Sequence, residues 1–275
     1  MSETDSETDS IGARASSSTP LNPLKARLDA GKPGVGVLVS VPGVPVAQIL
    51  ATAGFDWLFI DMEHCPIDIA SAHAMIVATM GTDAAPIVRV PKNLPWLVQP
   101  VLDAGAMGVV FPMIKNADEA RAAVATVRYP PTGVRGFGPL YATRRFGTDF
   151  NGYPDLADRE ILCILLIEHQ EAVENIAEIV AVPGIDVCFI APFDLAMSFG
   201  YRDGPDHPEV HRAVAAAEHA ILKSKITLGG LALDAGLANS MIRRGYRLIL
   251  GGFDTQLLDR SSAALLNAVD REGPG

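Results

Sequence analysis

Several apolar, strand-like runs in this 275-residue sequence end in side chains that can move protons or hold a cation. One run ends in Asp61, Met62, Glu63 and His64, another in Arg89, and a third in Glu168 and His169, while Asp194 follows a fourth. Two carboxylates with water completing the shell suit Mg2+ or Mn2+, so Glu168 and Asp194 form a candidate metal pair. A 2-oxo acid chelates such an ion through its keto and carboxylate oxygens, and the Lewis acid then stabilises the enolate formed when C3 loses a proton. His64 is the best base, because an imidazole titrates near neutrality, and Asp61 or Glu63 could orient it. His169 is its rival. Arg89, at the end of an apolar run, needs an anion, which is either a substrate oxyanion or the carboxylate of Asp61 or Glu63. Spacing alone leaves ordinary roles open: helix capping or a surface pair for the two acids, and a satisfied structural histidine for His64.

Such residues must be brought together by the elements that carry them. Runs rich in Val, Ile and Leu at 35–40, 57–61, 87–90, 108–113, 162–168, 187–191, 226–231 and 247–251 read as strands buried on both faces. Helical patterns at 45–53, 67–79, 94–104, 117–128, 171–180, 208–223, 235–244 and 255–269 alternate with them. Gly54, Gly105 and Gly245 close three of these patterns, as glycine does at helix ends. Eight βα units in series predict a closed (β/α)8 TIM barrel, an α/β fold whose site lies at the C-terminal ends of the strands. No GxGxxG run opens a helix, which disfavours a dinucleotide fold. The connection at 129–159 is long and holds Arg135 in a glycine-rich stretch, 133–138, that lacks the lysine and spacing of a phosphate loop. The pairs Gly229, Gly230 and Gly251, Gly252 end the last two strands, where either phosphate binding or close packing would use them.

Composition narrows the classes further. The chain is 49% hydrophobic and 20% charged with a net charge of -10, and no basic run argues for nucleic acid. Three scattered cysteines, Cys65, Cys163 and Cys188, fit a reducing, cytoplasmic setting, and no apolar stretch is long enough for a membrane span. Residues 1–20 are polar, repeat SETD and read as a disordered tail with phospho-acceptor potential, ahead of a single barrel domain at 21–275.

The run GFDWLFIDMEH at 54–64 resembles the second-strand signature of the HpcH/HpaI aldolases, class II pyruvate-dependent aldolases of the 4-hydroxy-2-oxoheptanedioate type. The resemblance continues in order through VRVP at 88–91, LDAGA at 102–106, FPM at 111–113, RYPP at 128–131, VRG at 134–136, Ile167 with Glu168, and APFDL at 191–195. It implies a barrel whose last helix is exchanged between subunits of a homo-oligomer, a hexamer built as a trimer of dimers. It also implies a metal-dependent carbon–carbon lyase acting on a small 2-oxo acid and an aldehyde. Glu168 and Asp194 match the ligands of the divalent metal (Mg2+, Mn2+ or Co2+), His64 the base, Asp61 its aspartate partner and Arg89 the arginine at the enolate oxygen. The backbone at Phe193 and Asp194 matches the amides that receive the pyruvate carboxylate. Three positions depart from the pattern: Leu166 replaces a common glutamine, Phe193 an alanine, and Leu38 a tryptophan. With Leu231 on the seventh strand, Leu166 and Phe193 define an altered substrate pocket. Decarboxylation of oxaloacetate at the same site, a non-catalytic acid-binding barrel and a phosphate-substrate isomerase are the competing readings.

Overall fold

The computed structural model describes residues 21–271, so the expected tail and its SETD repeat lie outside the described residues. Eight strands, β1 (Gly34–Val39), β2 (Trp57–Asp61), β3 (Ala85–Arg89), β4 (Gly108–Phe111), β5 (Leu162–Ile167), β6 (Val187–Ile190), β7 (Thr227–Leu231) and β8 (Leu248–Phe253), close into a parallel barrel in sequential order. β2 and β5 are buried along their whole length, as expected for strands packed inward on the barrel core and outward on helices. The expected (β/α)8 barrel is therefore the observed fold.

Helices surround the strands: α1 (Pro23–Asp29), α2 (Val44–Thr52), α3 (Ile69–Ala78), α4 (Pro95–Asp103), α5 (Ala117–Val127), α6 (Ala142–Phe146) and α7 (Tyr153–Glu160) in the first part of the chain. The second part carries α8 (Gln170–Glu174), α9 (Ile176–Ile179), α10 (Pro192–Ser198), α11 (Pro208–Lys223), α12 (Ala235–Arg244) and α13 (Asp254–Ala268). Asp68, Asn116 and Asp234 start α3, α5 and α12 by accepting an otherwise unpaired backbone N–H with their side chains. Gly245, at φ 109°, ends α12 in a conformation that side-chain-bearing residues rarely adopt.

Four of these helices depart from the sequence reading. α1 closes the bottom of the barrel, with Leu24 against the start of β1 and the Asn22 amide donating to the Met107 and Glu160 carbonyls. α6 and α7 lie inside the long 129–159 connection, and α10 follows β6. All are five to eight residues long, too short for a helical period to show. The pattern at 171–180 is split at Asn175 into α8 and α9.

Among the described residues the long connection supplies none that lines the cavity at the C-terminal strand ends. Arg135 is buried against α4, where its Nη2 donates to Asp103 at 2.8 Å and to the Tyr153 hydroxyl at 3.2 Å. Its guanidinium also stands over the rings of Tyr129 and Tyr153, at 4.6 Å and 5.3 Å from their centroids. This arginine holds the connection to the barrel wall. Of the two glycine pairs, the one on β7 serves packing: a Cβ on Gly229 would meet Phe189 at 2.8 Å, and one on Gly230 would meet Met241 at 2.7 Å.

Candidate active site

The C-terminal strand ends open onto a cavity of about 320 Å3. His64, Arg89, Asp194, Leu166, Phe193 and Leu231 are among the residues that line it. The strand register explains why. Leu38 sits beside Phe59, Leu166 beside Phe189, and Leu231 beside Leu250, so neighbouring strands present apolar side chains at the same level. Charge enters from the ends of β2, β3 and β5 and from the start of α10.

Arg89 and Asp61 are partners across adjacent strands. The guanidinium Nε donates to one Asp61 oxygen at 2.8 Å and Nη2 to the other at 2.7 Å, a two-pronged pair, with Glu63 at 3.3 Å from Nε. Of the two anions open to Arg89 in the sequence, the intramolecular one is realised. Burial opposes ionisation of Asp61, but the Arg89 hydrogen bonds and charge, with help from Cys65 and the Glu63 amide, hold its pKa below the usual value. Arg89 still lines the cavity, and no bond of its Nη1 to a protein group is found among the described residues.

Asp61 does not touch the His64 ring. It accepts the backbone N–H of Glu63 at 3.0 Å and of His64 at 3.4 Å, and the Cys65 thiol at 3.1 Å, so it shapes the turn rather than the imidazole. The His64 side chain is 67% exposed at the mouth, with Nε2 3.7 Å from a Glu63 oxygen. The geometry thus selects Glu63 over Asp61 as the carboxylate beside the ring. His169, the rival base, caps α8: its Nδ1 accepts the Glu171 N–H at 3.2 Å.

Glu168 stands at the end of β5, only 5% exposed. One of its oxygens accepts the Met113 N–H at 2.6 Å. Met113 is the one non-glycine residue with positive φ (55°) among the described residues, a costly conformation that persists where the surroundings demand it. Sequence offers no signal for it, since nothing in Phe-Pro-Met marks a left-handed residue. Burial pushes the Glu168 carboxyl up to about 7; the charges of Asp194 and Glu63 add to the effect, while the Met113 amide and Arg89 oppose it. Glu63 is raised as well, first by burial and then by Asp61 and Asp194, against Arg89 and His64.

Three acids therefore face one another with a single arginine already engaged, an arrangement short of positive charge. The donors are oxygens, the cavity is open to solvent at Asp194, and a divalent cation would favour the ionised Glu168 that burial first, and the neighbouring acids second, oppose. Among the described residues no group of three or more His, Cys, Asp or Glu side chains that could hold a metal ion is found, so the protein ligands on offer are the pair Glu168 and Asp194. The residues present suit the group that the resemblance implies.

Comparison with known proteins settles the kinship. The model of the HpcH/HpaI aldolase/citrate lyase family matches residues 40–261. The chain belongs to this family. A pyruvate aldolase of Rhizobium etli is 42% identical over 249 residues, covering 90% of this chain and 96% of the relative. A 4-hydroxy-2-oxo-heptane-1,7-dioate aldolase of Escherichia coli is 38% identical, covering 89% and 93%. Among solved structures, an HpcH/HpaI aldolase/citrate lyase family protein from Burkholderia cenocepacia superposes with a TM-score of 0.83 at 35% identity, covering 90% of this chain and 98% of that one. The HpcH/HpaI chain described here is accordingly an aldolase or lyase on the barrel expected for it. No helix among its described residues is long and apolar enough to cross a membrane.

Proposed function

We propose that this chain is a divalent-metal aldolase that breaks and forms the C3–C4 bond of 4-hydroxy-2-oxo acids through a pyruvate enolate. The observation that carries the reading is the buried Glu168 within reach of the charges of Asp194, Glu63 and Arg89, next to the cavity that His64, Arg89 and Asp194 line. The names of the Rhizobium etli and Escherichia coli relatives point the same way.

Glu168 and Asp194 would hold the cation, which when bound polarises the substrate keto group as a Lewis acid. The first amides of α10, at Phe193 and Asp194, precede the first intrahelical bond, from Leu195 N–H to the Ala191 carbonyl, and receive the substrate carboxylate. Arg89, fixed by Asp61, points its remaining N–H donors at the oxygen that becomes negative. In cleavage His64 takes the C4 hydroxyl proton. The C3–C4 electron pair moves onto the 2-oxo unit as enolate, and C4 leaves as an aldehyde. Return of the proton to C3 gives pyruvate, and the reverse sequence builds the bond. Glu63 steadies the His64 ring, and the apolar walls keep water from the enolate. In solution the chain acts as a homo-oligomer, hexameric on the family pattern, with a second copy covering α13.

The test is exchange of the methyl protons of pyruvate in deuterium oxide, followed by NMR. Exchange that needs Mg2+, Mn2+ or Co2+ and disappears in Glu168→Ala is expected. Folded wild-type protein that exchanges nothing with any of these ions would sink the enolate reading.

A further inference from the structure

The cavity is selective in a way that the reacting groups do not explain. Of the described side chains that line it, only His64, Arg89 and Asp194 are polar, and all three are assigned to the reacting end. Beyond them the wall is Leu38, Leu166, Leu231, Leu233 and the rings of Phe189 and Phe253. Phe193 edges the mouth with 46% of its surface exposed.

Charge bookkeeping decides what tail this wall accepts. Arg89 is the one guanidinium or ammonium lining the cavity among the described residues, and Asp61 and Glu63 already flank it. Arg260, on α13, approaches from outside and donates to the Leu233 carbonyl at 3.2 Å. A substrate with a second carboxylate at its far end would place that anion against leucine and phenylalanine, where among the described residues no lysine or arginine other than Arg89 lines the cavity. Burying an unpaired charge costs far more than a methylene group gains. An alkyl or aryl tail meets the opposite situation, since each apolar carbon it buries is favourable. Size permits it: a cavity of about 150 Å3 holds a benzene, and 320 Å3 leaves room for a three-carbon 2-oxo acid with a ring-sized group beside it.

We infer that this enzyme takes 2-oxo acids whose distal end is uncharged and apolar, and correspondingly alkyl or aryl aldehydes, in preference to the dicarboxylic substrate for which its Escherichia coli relative is named. The inference rests on the aldolase reading for which end of the substrate faces Arg89. Leu166, Leu231, Leu233 and Phe193 become the specificity-determining residues.

Calorimetric binding to the full chain with Mg2+ compares 2-oxohexanoate with 2-oxohexanedioate, a pair that differs only in the terminal carboxylate. The monoacid is expected to bind at least ten-fold more tightly, and 2-oxo-4-phenylbutanoate at least as tightly as 2-oxohexanoate. Equal affinity, or preference for the dioate, overturns the inference. Leu233→Arg, which adds a cation to the wall on a loop residue after β7, should shift the ratio at least ten-fold toward the dioate. A folded variant with an unmoved ratio would place the tail elsewhere and overturn it too. Pyruvate exchange separates the two claims: its failure with the tail preference intact removes the enolate chemistry and leaves the selectivity, and the reverse pattern does the opposite.

Discussion

At the scale of the residue, Glu168 is where burial and charge repulsion meet. A carboxyl whose folded pKa lies near 7 keeps its proton after the unfolded chain has lost it. Its contribution to stability is therefore fully present below the unfolded value of 4.5 and is lost as pH rises toward 7. Metal-free wild type should lose about 3 kcal/mol between pH 4.5 and 8 relative to Glu168→Gln, which has no proton to give up. Urea unfolding of both proteins across that range measures it; parallel pH profiles would mean that Glu168 is not held protonated. Adding Mn2+ at pH 8 should raise the melting temperature of wild type and leave the variant unmoved, because the cation replaces the proton. That Glu168, Asp194, Arg89 and His64 come together at one end of the barrel was legible in sequence, as each follows an apolar run. Their pairing was not, because whether Asp61 turns to the imidazole or to the arginine depends on register between β2 and β3. The β3 register sets Asp61 directly opposite Arg89, and the bidentate pair follows.

At the scale of the element, the strands were read to within two residues because barrel strands are short and buried on both faces, which leaves a dense apolar signature. The helices missed by sequence, α1, α6, α7 and α10, are short, and α10 opens on a proline whose fixed φ suits a first turn but also suits a loop. α10 matters most, since it carries Phe193 and Asp194 to the mouth. Within β1, one glycine has a role that composition conceals. A Cβ on Gly36 would lie 2.4 Å from two ring carbons of Trp57, which is fully buried at the start of β2. The ring cannot retreat, because it is hemmed in on all sides. Gly36→Ala should therefore cost about 3 kcal/mol, the upper end of what overpacking does, although alanine normally favours a strand over glycine. Chemical denaturation gives the number directly. A loss below about 1 kcal/mol would mean that β1 and β2 can part by more than a barrel register allows.

At the scale of the molecule, α13 is the element the monomer does not use. Asp254 at its start is buried and accepts the backbone N–H groups of Ser40 and Val41 at 2.8 Å and 2.9 Å, which ties the helix root to the strand β1 end. Beyond that root the helix touches the barrel at Arg260, which donates to the Leu233 carbonyl, and its residues 257–268 are exposed. Leu258 and Leu265, seven residues apart, share a face flanked by Leu257 and Leu266, and all four are exposed, Leu265 by 66%. Each leucine left in water forgoes about 1.5–3 kcal/mol of burial, and four of them on one helix form a patch that a monomeric protein rarely keeps open. Sequence periodicity located this helix, and the family resemblance, not the helical pattern, gave the expectation that it is exchanged between subunits; its exposure is a property of the closed fold, which a helical pattern does not encode. The expectation is that wild type runs as a multiple of the 29.1 kDa chain in light scattering, and that Leu258→Glu with Leu265→Glu lowers the mass to that of the single chain while circular dichroism still reports a folded barrel. An unchanged mass in the double variant would show that subunits meet elsewhere. A wild type that is already monomeric would leave α13 as a solvated arm and remove the reason for expecting exchange. Because α13 is rooted through Asp254 beside the cavity-lining Phe253, dissociation should also loosen the cavity wall. The double variant should then discriminate less between 2-oxohexanoate and 2-oxohexanedioate, even where its barrel remains intact.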